Sequence, residues 1–236
     1  MNHEHRYEQI GVAMTCRGYE EYVRMFALEE TELQTGAVLD VAGGASSFTA
    51  DARARGCDVR AVDPLYAMEP QAIVEHGRRE IESSTAKLDQ LKEQFDWSYY
   101  GSIEQHREGR IASLDRFGAH YAASCTSEER IYIAAALPAL PYPDETFSLV
   151  LVSHFLFLYD KQFDYEFHLK SLRELLRICR QDGEVRIYPV QTLLWERYPE
   201  LDRLMSELTE EGFRCSLIPS QLPFIPGSVH IFQVRR

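Results

Sequence analysis

The feature that most constrains this fold is a strand–turn–helix–strand pattern near the start of the sequence. An apolar run at residues 38–41 leads into Gly43 and Gly44, and a helical segment follows. A second apolar run, residues 58–62, ends at Asp63. This order is typical of nucleotide-binding units. In these units the ligand lies at the turn after the first strand, and an acid after the second strand binds the ribose hydroxyls.

The alternation of strands and helices continues to the C-terminus. Further strands are predicted at residues 131–134, 149–152, 184–190, 213–220 and 228–236. Serial β-α-β units that end in a strand pair indicate a doubly wound α/β sheet. The 236 residues, 45% of them hydrophobic, suffice for one domain that spans residues 1–236.

Two helical regions stand outside this alternation. Residues 6–33 carry apolar side chains at three- and four-residue spacing before Gly36, so we expect an N-terminal helical lid over residues 1–35. Residues 67–128 predict two or three helices inserted between the second and third strands. This insertion is either a substrate lid or a helical hairpin that thickens the core, and the pattern fits both interpretations.

Charge and cysteine content narrow the range of partners. The formal net charge of −12 disfavours nucleic acid, because an acidic surface repels phosphate backbones. No apolar run approaches the roughly 20 residues that cross a bilayer, and the five cysteines are scattered without a C-x-x-C pair. We expect a cytoplasmic monomer or homodimer that binds no membrane, no nucleic acid and no metal.

The glycine turn distinguishes dinucleotide cofactors from nucleoside cofactors that carry an ammonium group. A dinucleotide needs G-x-G-x-x-G to place its pyrophosphate at a helix N-terminus, and the turn here reads A-G-G-A-S-S. Asp40 stands just before this turn. A carboxylate there disfavours a pyrophosphate and suits a cationic ligand with an ammonium group.

Three segments in order, VLDVAGGASSF, VRAVDPLY and LPYPDETFSLVLVSHFLFLY, resemble the class I S-adenosylmethionine (SAM)-dependent methyltransferases. The resemblance covers most of residues 36–236 outside the insertion. It implies a seven-stranded, mostly parallel Rossmann-like sheet with an antiparallel last strand, into which the helices predicted for residues 67–128 would be inserted as a cap. It also implies SAM as the cofactor and S-adenosylhomocysteine (SAH) as the product.

The resemblance assigns cofactor contacts residue by residue. The first family motif, D/E-x-G-x-G-x-G, falls on Asp40, Ala42, Gly44 and Ser46, so small residues replace two of its three glycines. Asp63 matches the acid that binds the ribose. Further contacts are expected from the turn, the segment after Asp63, the adenine-lining segment, the end of the fourth strand and the N-terminal helix: Gly43, Pro64, Leu65, Ala136, Leu137, Ser153, His154, Arg17 and Tyr22.

The end of the fourth strand is predicted to face the methyl group. His154 is a candidate general base, because an imidazole with a pKa of about 6.5 suits proton transfer at neutral pH. A structural or cofactor-contacting histidine fits the same position. Tyr159 is a second catalytic candidate or an aromatic residue of the core. Arg17 is either a partner of the SAM carboxylate or a solvated arginine on its helix.

The combined prediction is a SAM-dependent methyltransferase that transfers a methyl group to a small-molecule acceptor enclosed by the cap. The choice between O-, N-, S- and C-methylation stays open. Three alternatives stand beside it: an enzyme that uses SAM for another reaction, a SAM-binding sensor or scaffold without turnover, and a dinucleotide-dependent dehydrogenase. The replaced glycines favour the second, and the absent G-x-G-x-x-G argues against the third.

Overall fold

A computed structural model of the protein describes residues 11–236. Its strands are β1 (Val38–Val41), β2 (Val59–Val62), β3 (Tyr132–Ile133), β4 (Phe147–Ser153), β5 (Cys179–Tyr188), β6 (Arg214–Pro219) and β7 (His230–Arg235). They form one sheet in the order β3-β2-β1-β4-β5-β7-β6. Strands β1 to β5 are parallel, and β7 is antiparallel to both β5 and β6. The predicted fold class is confirmed.

Helices cover both faces of this sheet. They are α1 (Tyr19–Met25), α2 (Glu30–Gln34), α3 (Phe48–Ala54), α4 (Pro70–Gln90), α5 (Ile103–Ser124), α6 (Tyr165–Ile178) and α7 (Leu201–Glu210). None of the helices within residues 11–236 is both long enough and apolar enough to cross a membrane.

The central strand β4 is buried on both faces. Val150 and Val152 lie in one apolar cluster with Leu172 of α6. Leu149 and Leu151 lie in a second cluster, together with aromatic side chains of α1 and α3. A strand that is buried on both sides explains the near-continuous Val/Leu run of the sequence.

The two longest helices, α4 and α5, lie between β2 and β3, where the sequence predicts an insertion of two or three helices. They pack on each other through an apolar cluster that includes Ile73 and Ile81 of α4 and Leu114 and Phe117 of α5. The same cluster includes Tyr66, which follows β2. The insertion is therefore joined to the sheet at the end where β1 and β2 finish.

The N-terminal helical lid predicted for residues 1–35 is only partly helical. Residues 11–18 form no helix, and α1 begins directly after them. A second break follows at Ala27, whose φ of 49° lies in the left-handed region. The prediction of continuous helix over residues 6–33 is therefore wrong at both places, and residues 6–10 lie outside the described range.

Residues 11–18, called the N-terminal segment below, cross over the turn after β1. The carbonyl of Thr15 accepts a hydrogen bond from the amide of Ala45 over 2.9 Å, and the carbonyl of Arg17 accepts one from Ser47 over 3.0 Å. These carbonyls are not available for helical hydrogen bonds, which explains the late start of α1.

Candidate active site

The turn between β1 and α3 is closed by the chain itself. Gly44 has a φ of +54°, and its amide donates to Asp63 Oδ2 over 3.0 Å. A Cβ atom at Gly44 would lie 2.9 Å from the carbonyl oxygen of Thr15. Glycine is therefore required here for two reasons, the left-handed backbone and the close approach of the N-terminal segment.

Asp63 lies in the wall of a cavity of about 250 Å³ at the carboxyl ends of β1, β2 and β4, which we call the strand-end cavity. Its carboxylate oxygens accept the amides of Gly44 over 3.0 Å and Leu65 over 2.9 Å. Burial raises the pKa of Asp63, and these two hydrogen bonds oppose the rise. Because a carboxylate has about four acceptor positions, ligand hydroxyls can still donate to it.

A second cavity, of about 150 Å³, lies under α4 and α5, and we call it the cap cavity. Its walls come from these helices, from the N-terminal segment and from the segments that follow β4, β5 and β6. Ala13, Thr15 and His154 line both cavities. A ligand in one cavity therefore lies beside a ligand in the other, with His154 at the junction.

His154 follows β4 with a φ of +50°, which is uncommon for a residue with a side chain. Its Nδ1 atom lies 3.1 Å from Ser153 Oγ. Burial, together with the positive charges of Arg17 and Arg110, lowers the pKa of His154 well below its usual value. The imidazole is therefore neutral at neutral pH, and it is a weaker base than an exposed histidine.

Asp40 lies behind the walls of the cavities. It is 1% exposed, and the hydroxyl of Tyr22 donates to its two oxygens over 3.0 and 3.2 Å. Burial raises the pKa of Asp40 to about 8, against the opposing effect of the Tyr22 hydrogen bond and with a further contribution from Asp63. A nearby cationic group would favour the ionised form of this carboxyl.

A buried cluster joins α1 to the cap. Arg110 Nη1 lies 2.6 Å from both carboxylate oxygens of Glu21, the Tyr100 hydroxyl donates to Glu21 over 2.6 Å, and Arg17 Nη1 lies 3.4 Å away. Burial opposes ionisation of Glu21, but Arg110 and Arg17 lower its pKa below the usual value. The cluster therefore holds one carboxylate and two guanidinium groups.

The predicted site residues fall into three groups in the structure. The strand-end cavity is lined by Ala42, Asp63, Pro64, Leu65, Ala136, Leu137, Ser153 and His154. The cap cavity is lined by Arg17, Tyr159 and, again, His154. Behind the walls lie Tyr22, Asp40, Gly43, Gly44 and Ser46. Tyr159 Oη accepts the amide of Ala13 over 2.9 Å, so this tyrosine holds the N-terminal segment in place.

Sequence reasoning missed several residues of the cavities. Thr15 and Ala13 lie in a segment without a motif, and Arg110 is 89 residues away from Glu21, the acid to which it is bonded. In residues 11–236, no three His, Cys, Asp or Glu side chains are grouped so that they could hold a metal ion.

Comparison with known proteins identifies one relative at substantial identity. The chain is 31% identical over 221 residues to an uncharacterized protein of Methanocaldococcus jannaschii, across 93% of this chain and 94% of that protein. The chain belongs to the family of this archaeal protein. No protein-family model matches the sequence.

The sheet has the order of the Rossmann-like methyltransferase fold, which confirms the fold that the sequence resemblance implies. Two solved structures illustrate the likeness. A SAM-dependent methyltransferase from Aquifex aeolicus is 15% identical, with 91% of this chain and 90% of that chain covered and a TM-score of 0.42. A 1,6-didemethyltoxoflavin-N1-methyltransferase from Burkholderia thailandensis, with 1,6-didemethyltoxoflavin and SAH bound, is 14% identical, with 87% of this chain and 74% of that chain covered and a TM-score of 0.42.

Proposed function

We propose that the protein is a SAM-dependent methyltransferase that acts on a small-molecule acceptor. The observation that carries this proposal is the meeting of two cavities at His154, at the carboxyl ends of β1 and β4. Ligands of open α/β sheets bind at this edge. One cavity has the acid expected for a nucleoside, and the other is covered by the inserted helices.

The strand-end cavity fits the adenosine part of SAM. Asp63 would accept hydrogen bonds from the ribose hydroxyls, and Leu65 and Leu137 provide apolar walls for the adenine. The Oγ1 atom of Thr15, which lines both cavities, is buried without a hydrogen-bond partner and would bind a polar atom of the ligand. When bound, SAM supplies a methyl group that its sulfonium charge activates.

The acceptor would lie in the cap cavity. His154 would take up the proton of the acceptor, because it lies at the junction of the two cavities. Tyr159 would position the N-terminal segment through the amide of Ala13. The cap helices would exclude water and hold the acceptor in line with the methyl group.

The free thiols support a cytoplasmic location for this activity. All five cysteines, namely Cys16, Cys57, Cys125, Cys179 and Cys215, are unpaired. Unpaired thiols are typical of proteins that work under reducing conditions.

A second candidate is a SAM-binding protein without turnover. The amides of Gly44, Ala45 and Ser47 already donate to acceptors of the protein itself. The turn therefore offers few free donors to a ligand. This candidate predicts binding of SAM without transfer to any acceptor.

The test is calorimetric titration of freshly purified, ligand-free protein with SAM and SAH, followed by incubation with methyl-labelled SAM and a panel of small acceptors. Micromolar binding together with transfer of label supports the proposal. Binding without transfer to any acceptor supports the second candidate. No binding at millimolar SAM would contradict both.

A further inference from the structure

In the cluster around Glu21, the guanidinium group of Arg17 lacks a full set of hydrogen-bond acceptors. Arg110 donates to Glu21, to the carbonyl of Cys16 over 3.2 Å and to Tyr100 over 3.1 Å. Arg17 is only 8% exposed, its Nη1 atom lies 3.4 Å from Glu21 Oε1, and its Nε atom has no hydrogen-bond partner. A buried cation with unused donors is costly unless a further acceptor is supplied.

The charges of the cap cavity add up to a positive wall. Arg17 and Arg110 both line it, and α4 contributes one acid, Glu80, and one base, Lys87. Burial, with Arg110 and Arg17, lowers the pKa of His106 to about 2, so this histidine adds no charge. Glu21 offsets only one of the two arginines, and an anionic ligand would offset the other.

Another part of the cavity wall is aromatic. Phe95, His106, Trp195 and Phe224 line it. Phe95 stacks on Phe224 with ring centroids 4.9 Å apart, and His106 stacks on Phe224 at 5.5 Å. Flat apolar walls favour a planar ligand, and cavities of about 150 Å³ accept a benzene ring.

We propose that the methyl acceptor is an aromatic carboxylate, bound with its carboxylate at Arg17 and its ring against Phe224 and Trp195. The inference rests on the proposed function, because it treats the cap cavity as the acceptor site. The group to be methylated would then face His154, which lines the same cavity.

SAM itself also carries a carboxylate, so two ligands offer the chemistry that Arg17 requires. Arg17 lines the cap cavity and is absent from the wall of the strand-end cavity. The aromatic wall faces the same space as Arg17. This shared location favours the acceptor as the source of the carboxylate.

Intrinsic tryptophan fluorescence provides a direct readout of ligand binding in the cap cavity. The chain has two tryptophans. Trp195 lines the cavity, and Trp97 lies 5.1 Å from Phe224 between ring centroids. The full-length protein is titrated with 4-hydroxybenzoate and with its uncharged analogue 4-hydroxybenzamide, each with and without saturating SAH. We expect the carboxylate to bind at least about tenfold more tightly, as one charge-assisted hydrogen bond implies, in both conditions.

Two outcomes of this titration would overturn the proposal. Equal affinity for the two compounds would show that the cavity does not select an anion. A preference that disappears when SAH is bound would assign Arg17 to the carboxylate of the cofactor.

Variants of Arg17 and Arg107 test which arginine causes the preference for the carboxylate over the amide. Arg17→Gln is expected to lose the preference, and Arg107→Gln, which removes a charge from the exposed face of α5, is expected to retain it. If Arg17→Gln does not fold by circular dichroism, Arg17→Lys is used, and its preference should fall at least threefold because the fork geometry is lost. An unchanged preference in a folded Arg17 variant would overturn the proposal.

The experiments distinguish failure of this inference from failure of the proposed function. If calorimetry finds no SAM binding while the benzoate preference persists, the proposed methyltransferase activity fails and the anion site stands. If SAM binds and methyl transfer occurs only to uncharged acceptors, the proposed function stands and this inference fails.

Discussion

Asp63 accepts a hydrogen bond from the backbone amide of Gly44 over 3.0 Å, and this contact joins the acid after β2 to the turn after β1. The two positions most typical of a nucleotide site are thus parts of one structural unit. A change in either one alters both the position of the carboxylate and the path of the turn.

Replacing Asp63 with alanine is expected to weaken SAM and SAH binding at least about tenfold, because the ribose loses a charged acceptor and Gly44 loses its partner. Calorimetric titration measures the effect. The matched control is Asp58→Ala, which removes an exposed acid next to β2 and should leave both affinities unchanged. Normal binding by the Asp63 variant would show that the ribose does not bind at the strand-end cavity.

A comparison of Gly44→Ala with Gly56→Ala separates the cost of backbone strain from the cost of a close contact with Thr15. Both glycines have a positive φ, +54° and +85°, but a Cβ atom at Gly56 would meet nothing within 4 Å. We expect Gly56→Ala to cost about 1 kcal/mol of unfolding free energy and to leave binding intact. Gly44→Ala should cost more and weaken SAH binding, because it displaces Thr15. Urea unfolding and SAH titration measure the two effects, and equal costs would contradict this account.

Asp40→Asn is expected to change the pH dependence of stability. The raised pKa means that the folded protein keeps a proton on Asp40 that the unfolded chain releases, so wild-type stability falls as the pH rises from about 4 to about 8. The variant lacks this contribution. Its unfolding free energy relative to the wild type should therefore grow by about 1 kcal/mol per pH unit between pH 5 and pH 7.

The measurement for Asp40 is urea unfolding at several pH values. Asp89→Asn, on the exposed end of α4, serves as the control and should keep the wild-type slope. A parallel slope in the Asp40 variant would mean that this carboxyl is ionised in the folded protein at neutral pH.

His154→Ala is expected to lower turnover about a hundredfold and to change SAM affinity by less than threefold, as loss of a general base implies. Since the pKa of His154 lies well below its usual value, His154 should cause no loss of kcat/KM as the pH falls from 8 to 6.5. Initial rates with an identified acceptor test both statements, with the exposed His230→Ala as control. Wild-type turnover would leave His154 with a structural role only.

The sequence predicted those parts of the fold that depend on neighbouring residues. Apolar runs such as residues 38–41 and 149–152 are buried strands, and Asp63 lies in a cavity wall where the β-α-β pattern places it. The start of α1 was not predictable, because the carbonyls of the N-terminal segment bind the amides of Ala45 and Ser47. These contacts cross about 30 residues of chain and leave no local pattern.

The charged cluster around Glu21 was not predictable either, because its residues are far apart in the chain. Glu21 binds Tyr100 and Arg110, which are 79 and 89 residues away in the chain. Glu21 and Arg110, taken alone, each resemble a surface position on an amphipathic helix. Only the contact between α1 and α5 shows that Glu21, Tyr100 and Arg110 share one buried site, and that the Nε atom of Arg17 beside it has no hydrogen-bond partner.

The backbone bonds between the N-terminal segment and the turn have a consequence for local opening. The amide of Ala45 donates to the carbonyl of Thr15, so its protection from exchange depends on the position of the N-terminal segment. The amide of Ser47 donates both to Arg17 and to Ser113 Oγ of α5 over 3.0 Å, so it keeps a partner when the segment detaches. Hydrogen exchange that is faster at Ala45 than at Ser47 therefore reports how often the segment opens, and a ligand that contacts the segment would slow exchange at Ala45 before it changes the protection of the strands.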